Sequence, residues 1–116
     1  MNDNQESIDQ RLRALKQAYL DGLPGRIGEI DALAASIRRD PGSEKGREGL
    51  DALYHLSHKL SGSGGTFGLP AISDAARLIE DEYEALKKTP SADGWQKIEG
   101  LIEELRGAVN DALKQG

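Results

Sequence analysis

The stretch REGLDALYHLSHKLSGSGG, Arg47 to Gly65, decides how this chain folds. On a helical wheel at about 100° per residue, Leu50, Leu53, Tyr54, Leu56, Ser57, Leu60 and Gly64 gather on one arc. A helix is therefore expected from about Lys45 into the Ser/Gly run, with a single apolar face. The same stretch holds both histidines of the chain, His55 and His58, and sets them against Ser61, Gly62, Ser63, Gly64 and Gly65. Glycine costs a helix interior about 1 kcal/mol relative to alanine. So many small residues beside the only two imidazoles call for a reason.

Working outward, Ile8, Leu12, Leu15, Tyr19, Leu23, Ile30, Leu33 and Ile37 form one stripe upstream. Its phase survives the DGLPG interruption at Asp21–Gly25. The first helix is thus extended through Pro24 with a kink, or a second helix starts with Pro24 as its first residue. RDPGSEKG (Arg39–Gly46) reads as a loop, with Ser43 placed to cap the next helix. Gly64, Gly65 and Gly68 mark a helix end or tight turn, and Pro70 opens a third segment. The stripe of that segment is Ile72, Ala75, Ala76, Ile79, Tyr83 and Leu86, and KKTPSADG (Lys87–Gly94) ends it. A last stripe runs through Trp95, Ile98, Ile102, Leu105, Val109 and Leu113. No strand pattern competes. The expected fold is all-α, an antiparallel up-down four-helix bundle forming one domain over residues 1–116.

Composition narrows the function classes. With one Trp, one Phe and three Tyr in 116 residues, Leu, Ile and Ala must build the core. The absence of cysteine removes disulfides, thiolate zinc sites and Cys nucleophiles. A net charge of −5 argues against nucleic acid and anionic membranes as partners. No apolar run approaches the roughly 20 residues of a membrane span. The acidic start MNDNQESID has no apolar core of a signal peptide. A cytoplasmic monomer is the expectation.

On the wheel His58 lies about 80° from Leu50, just beyond the apolar arc, and His55 about 140° away on a more open face. Asp51, Gly62 and Gly65 share the His58 flank. The imidazole of His58 should therefore stand in solvent beside nearly bare backbone. Two idle surface histidines followed by a frayed helix end would give the same pattern. A metal site from His55, His58 and Asp51 is weakened by having two His and no Cys, since bundle sites draw ligands from several helices. A hydrolase built on Ser57 or Ser61 lacks a nucleophile elbow or oxyanion loop. The glycines form no P-loop, lacking the Gly-Lys-Ser/Thr ending and a preceding strand.

The segment HKLSGSGGTFGLPAISDAARLIE, His58 to Glu80, resembles the signature of histidine phosphotransfer (HPt) domains. The matching positions are His58, Leu60, Gly62, the helix-ending Gly68, the paired Ala75 and Ala76, and the closing Glu80. Upstream, YLDGLPGRIGEIDAL (Tyr19–Leu33) resembles the first long helix of that family. The resemblance implies a four-helix bundle whose exposed His58 accepts a phosphoryl group and passes it to or from the Asp of a response-regulator receiver domain, with a histidine kinase as the other partner type. Such a module is a relay intermediate without its own ATP site, not an enzyme. It has no cofactor or metal of its own, and the divalent metal belongs to the receiver. The phosphoacceptor domain of a larger chemotaxis-type kinase, or an interaction-only bundle, are the alternatives.

Within that resemblance, Gly62 and Gly65 clear the ground beside His58 for a docking partner, with His55 on the same rim. Many family members carry a Lys three residues after the His, where this chain has Ser61. Lys59 and Arg77 are the candidate replacement cations. Glu80 is a candidate to orient the imidazole through its other nitrogen, and a solvated surface Glu reads the same way in sequence.

Overall fold

The computed structural model describes residues 3–39, 42–89 and 91–115, and the side chains of 7–39, 42–89 and 91–114. Four helices follow one another: α1 (Asp3–Arg39), α2 (Glu44–Thr66), α3 (Pro70–Lys88) and α4 (Ala92–Gln115). Every regular element among the described residues is helical. Each helix packs on its neighbour in the chain, and α1 closes the square against α4. This is the up-down bundle that the four stripes imply. The Pro41 and Pro90 of the two expected loops lie outside the described residues.

The stripes supply the core. Leu20, Leu23, Ile30 and Ile37 of α1 meet Leu53, Leu56 and Leu60 of α2, Ile72, Ala76 and Ile79 of α3, and Ile98, Ile102, Leu105 and Val109 of α4. Trp95, Leu86 and Leu113 pack on its margin. No described helix is long and apolar enough to cross a membrane.

Of the two readings at Pro24, continuity is found: α1 is one element of 37 residues with Pro24 inside it. Pro24 faces solvent while Leu20 and Leu23 beside it are buried. An interior Pro costs about 3 kcal/mol. Burial of two leucines, at about 1.5–3 kcal/mol each, offsets it.

The stripe is corrected at its start. Ile8, Leu12 and Leu15 are 51%, 56% and 57% exposed and take no part in the core. The cause is length. At about 1.5 Å per residue α1 spans about 55 Å, whereas the 23 residues of α2 and 24 of α4 span about 35 Å. The molecule measures 58 Å along its long axis, so the first part of α1 overhangs the bundle.

Helix ends follow the local chemistry. The Ser43 Oγ accepts the Gly46 N–H at 3.0 Å and caps α2 as expected, with the helix starting at Glu44, one residue before the expected Lys45. At the other end Gly68 adopts φ +72°, Leu69 N–H donates to Gly64 C=O (2.7 Å) and Gly68 N–H to Gly65 C=O (3.3 Å). That pair of bonds is a Schellman ending, and it needs a residue at ease in the left-handed region. Pro70 then starts α3 at once.

The turn brings α3 hard against α2. A Cβ on Gly64 would lie 2.9 Å from the Ser73 backbone N and 3.2 Å from the Leu69 carbonyl O, neither of which can swing aside. A Cβ on Gly62 would meet nothing within 4 Å. Gly64→Ala is therefore expected to destabilise by about 1–3 kcal/mol through overpacking, while Gly62→Ala stabilises by about 0.5–1 kcal/mol. Urea melts of the two variants check this, and equal shifts of the same sign would contradict the close approach.

Candidate functional site

The site lies along the α2–α3 groove, and its spacing is set by the Gly64 contact. One turn further from the loop, the buried Ser73 hydroxyl donates to the Ser61 carbonyl at 2.6 Å. Continuing along the groove, Glu80 of α3 comes opposite His58 of α2. The His58 side chain is 71% exposed, and its Nδ1 stands 3.5 Å from Oε1 of Glu80, whose side chain is 16% exposed. That carboxylate oxygen is buried and has no hydrogen-bond partner.

The approach bears on which tautomer a neutral ring would favour. A neutral imidazole carries one N–H and one lone pair. A carboxylate oxygen facing Nδ1 repels a lone pair there and attracts a proton. For a neutral ring this favours the N–H on Nδ1 and the lone pair on Nε2. Slight closure of the 3.5 Å gap would give a charge-assisted hydrogen bond of ordinary length, about 2.7–2.9 Å. Glu80 is thus no solvated surface residue.

The ground beside the ring is low. Gly62 and Gly65 are both exposed, and a Cβ on Gly65 would make only an ordinary contact with Ser73 Oγ at 3.8 Å. Neither glycine is required by packing. Ser61 is half-buried and Lys59 exposed. Arg77 is exposed and pairs with Asp74 at 3.8 Å, so it is not joined to Glu80. His55 is exposed, with its ring edge-on to Tyr54 at 5.6 Å between centroids.

Two alternative chemistries lose their parts. Ser57 is 1% exposed, which puts its hydroxyl inside the bundle and out of reach of a substrate. Asp51 accepts a hydrogen bond from the Tyr83 hydroxyl instead of joining His55 and His58.

That last bond belongs to a group that sequence reading placed in the core. Tyr54 lies near-parallel to His58, 6.3 Å between ring centroids at 19°, and stacks on Tyr83 at 4.5 Å and 27°. The ammonium of Lys87 stands 5.9 Å from the centre of the Tyr83 ring. Hydrogen bonding to Asp51, then burial, pushes the Tyr83 phenol up to about 12. It therefore remains a neutral donor at any physiological pH. The signal for Tyr54 was present in the sequence: it sits four residues before His58, and side chains at i and i+4 of a helix are neighbours.

An exposed imidazole with a carboxylate facing its Nδ1 and two bare glycines on its helix can act as a nucleophile toward a group held by another protein. Comparison with known proteins bears on which group that is. No curated protein and no solved structure gives a match to this chain. Residues 5–110 match the family described as Hpt domain, which covers nearly the whole chain. Members of that family are phosphotransfer modules of two-component phosphorelays, and they interact with kinases and response regulators. The chain belongs to the Hpt domain family, the histidine phosphotransfer modules of phosphorelay signalling.

Proposed function

We propose that His58 is the phosphoacceptor and that the chain relays a phosphoryl group to or from the aspartate of a receiver domain. The observation that carries this reading is the His58–Glu80 arrangement, a largely buried carboxylate 3.5 Å from Nδ1 of an exposed imidazole. In the accepting direction the Nε2 lone pair attacks the phosphorus of an aspartyl phosphate. The N–P bond forms, the P–O bond breaks, and its electron pair leaves on the receiver's carboxylate. The proton stays on Nδ1 throughout, and the ring's new positive charge faces the Glu80 carboxylate.

Little more is asked of this chain, because phosphoryl transfer depends mainly on positioning and on charge stabilisation. The receiver's divalent metal supplies most of the charge. Lys59 and Arg77 are the nearby cations of this chain, in place of the family's Lys at the position of Ser61. In this reading the chain has no ATP site or cofactor, is not itself an enzyme, and works as a monomer in the cytoplasm. His55 and Gly65 line the edge of the docking surface.

Incubation with phosphoramidate, and separately with a phosphorylated receiver domain, tests the assignment. The label should be acid-labile and base-stable, present in His55→Gln and absent from His58→Gln. Labelling that survives in His58→Gln would overturn it.

Glu80→Ala removes the group that holds the proton on Nδ1. Transfer to and from the receiver should slow about tenfold, the scale of one charge-assisted hydrogen bond. Nitrogen-15 spectra of the variant should show His58 in mixed tautomers where the wild type shows Nδ1–H alone. An unchanged tautomer and rate would remove Glu80 from the mechanism.

Gly62 supplies a test of docking clearance. It lies one turn after His58 and carries the helix penalty of glycine with no packing return. Gly62→Gln should raise the melting temperature by a few degrees and slow receiver transfer at least tenfold. Phosphoramidate labelling should change little, because a small donor needs little room. Normal receiver transfer by the stable variant would show that no clearance is needed there.

A further inference from the structure

An imidazole that is 71% exposed has solvent on most sides, and a single contact at Nδ1 does not define its plane. Glu80 touches one edge of the ring and leaves it free to pivot about that edge. The second constraint comes from Tyr54. We propose that Tyr54 is a positioning residue for phosphotransfer. It sets the plane of His58, so that Nε2 is presented in line with the incoming phosphorus. This rests on the reading of His58 as the phosphoacceptor.

The geometry supports a chain of rings running from the bundle to the surface. His58 lies 19° from parallel with Tyr54 at 6.3 Å, within the range of offset aromatic pairs. Tyr54 is half-buried and is itself held against Tyr83 at 4.5 Å. Tyr83 is 7% exposed, and its hydroxyl is tied to Asp51 on α2, so the lowest ring is locked to both helices of the groove. Order in Tyr83 is thereby passed through Tyr54 to a ring that would otherwise sample several rotamers. Stacking constrains the plane and Glu80 constrains the rotation within it. The two contacts are complementary and neither replaces the other.

Chemistry adds a second role for the same face. When Nε2 takes the phosphoryl group, the ring keeps its Nδ1 proton and becomes cationic. The electron-rich face of an aromatic ring attracts a cation, so Tyr54 favours the phosphorylated ring over the neutral one. A phenylalanine has the same face and shape, whereas an aliphatic side chain fills the space without a quadrupole.

The test compares Tyr54→Phe, Tyr54→Leu and Tyr54→Met with the wild type in transfer from a phosphorylated receiver. Tyr54→Phe should transfer at the wild-type rate. Tyr54→Leu and Tyr54→Met should lower kcat by about two- to tenfold, the scale of one aromatic pair, with KM for the receiver unchanged. Proton–proton couplings of the His58 side chain should report one rotamer in the wild type and in Tyr54→Phe, and averaging in the aliphatic variants. Having two aliphatic variants guards against loss of one through misfolding, which helical circular dichroism detects. Wild-type rates and a fixed His58 rotamer in either folded aliphatic variant would overturn the proposal while leaving His58 as acceptor. A wild-type protein that takes no label on His58 would overturn both.

Discussion

The absence of a side chain at Gly64 is the constraint on which the site depends. With the Ser73 backbone N only 2.9 Å from where a Cβ would stand, α3 approaches α2 at this point more closely than any side chain would permit. The Schellman ending at Gly68 and the immediate start at Pro70 leave the connection no slack. From that anchor the groove runs in register: Ser73 against Ser61, Glu80 against His58, Tyr83 against Tyr54 and Asp51. A wider spacing would take Glu80 out of reach of the imidazole and open the stack beneath it.

The glycines near His58 thus divide by job. Gly64 is buried and makes the close approach, and Gly68 turns the chain. Gly62 and Gly65 face solvent and do neither. Exposed glycines with open space around them also stand in α1 (Gly22, Gly25, Gly28) and α4 (Gly100, Gly107), so what sets Gly62 and Gly65 apart is their place on the helix of His58. In the proposed reading they leave room for a domain that must close over a single imidazole. In the same reading His58 stands clear of the core to meet that domain, with Glu80 facing its Nδ1 and Tyr54, itself stacked on Tyr83, beside its ring.

Much of this was legible in the sequence, and the limits are instructive. The apolar arc of α2 put Leu53, Leu56 and Leu60 inside and His58 outside because a helix wheel reports direction directly. Gly68 followed by Pro70 marked the turn because only local backbone chemistry is involved. The place of Glu80 stayed open between two readings, since a wheel for α3 says nothing of which α2 residue it meets. Tyr54 was read as core because the wheel gives an aromatic one direction, whereas its ring lies under His58 and over Tyr83 at once. Ile8, Leu12 and Leu15 show the opposite failure. Their stripe is in phase with Leu23 and Ile30, but a face becomes core only where another helix is long enough to reach it.

The claim at the centre is that His58 offers Nε2 and keeps its proton on Nδ1 against Glu80. Phosphorus–nitrogen correlation by nuclear magnetic resonance on the uniformly nitrogen-15-labelled, phosphorylated protein measures this directly. A single N–P bond at Nε2 of His58, with the Nδ1 proton retained, is the result expected. A phosphoryl group on Nδ1 of His58, or on His55, would contradict it.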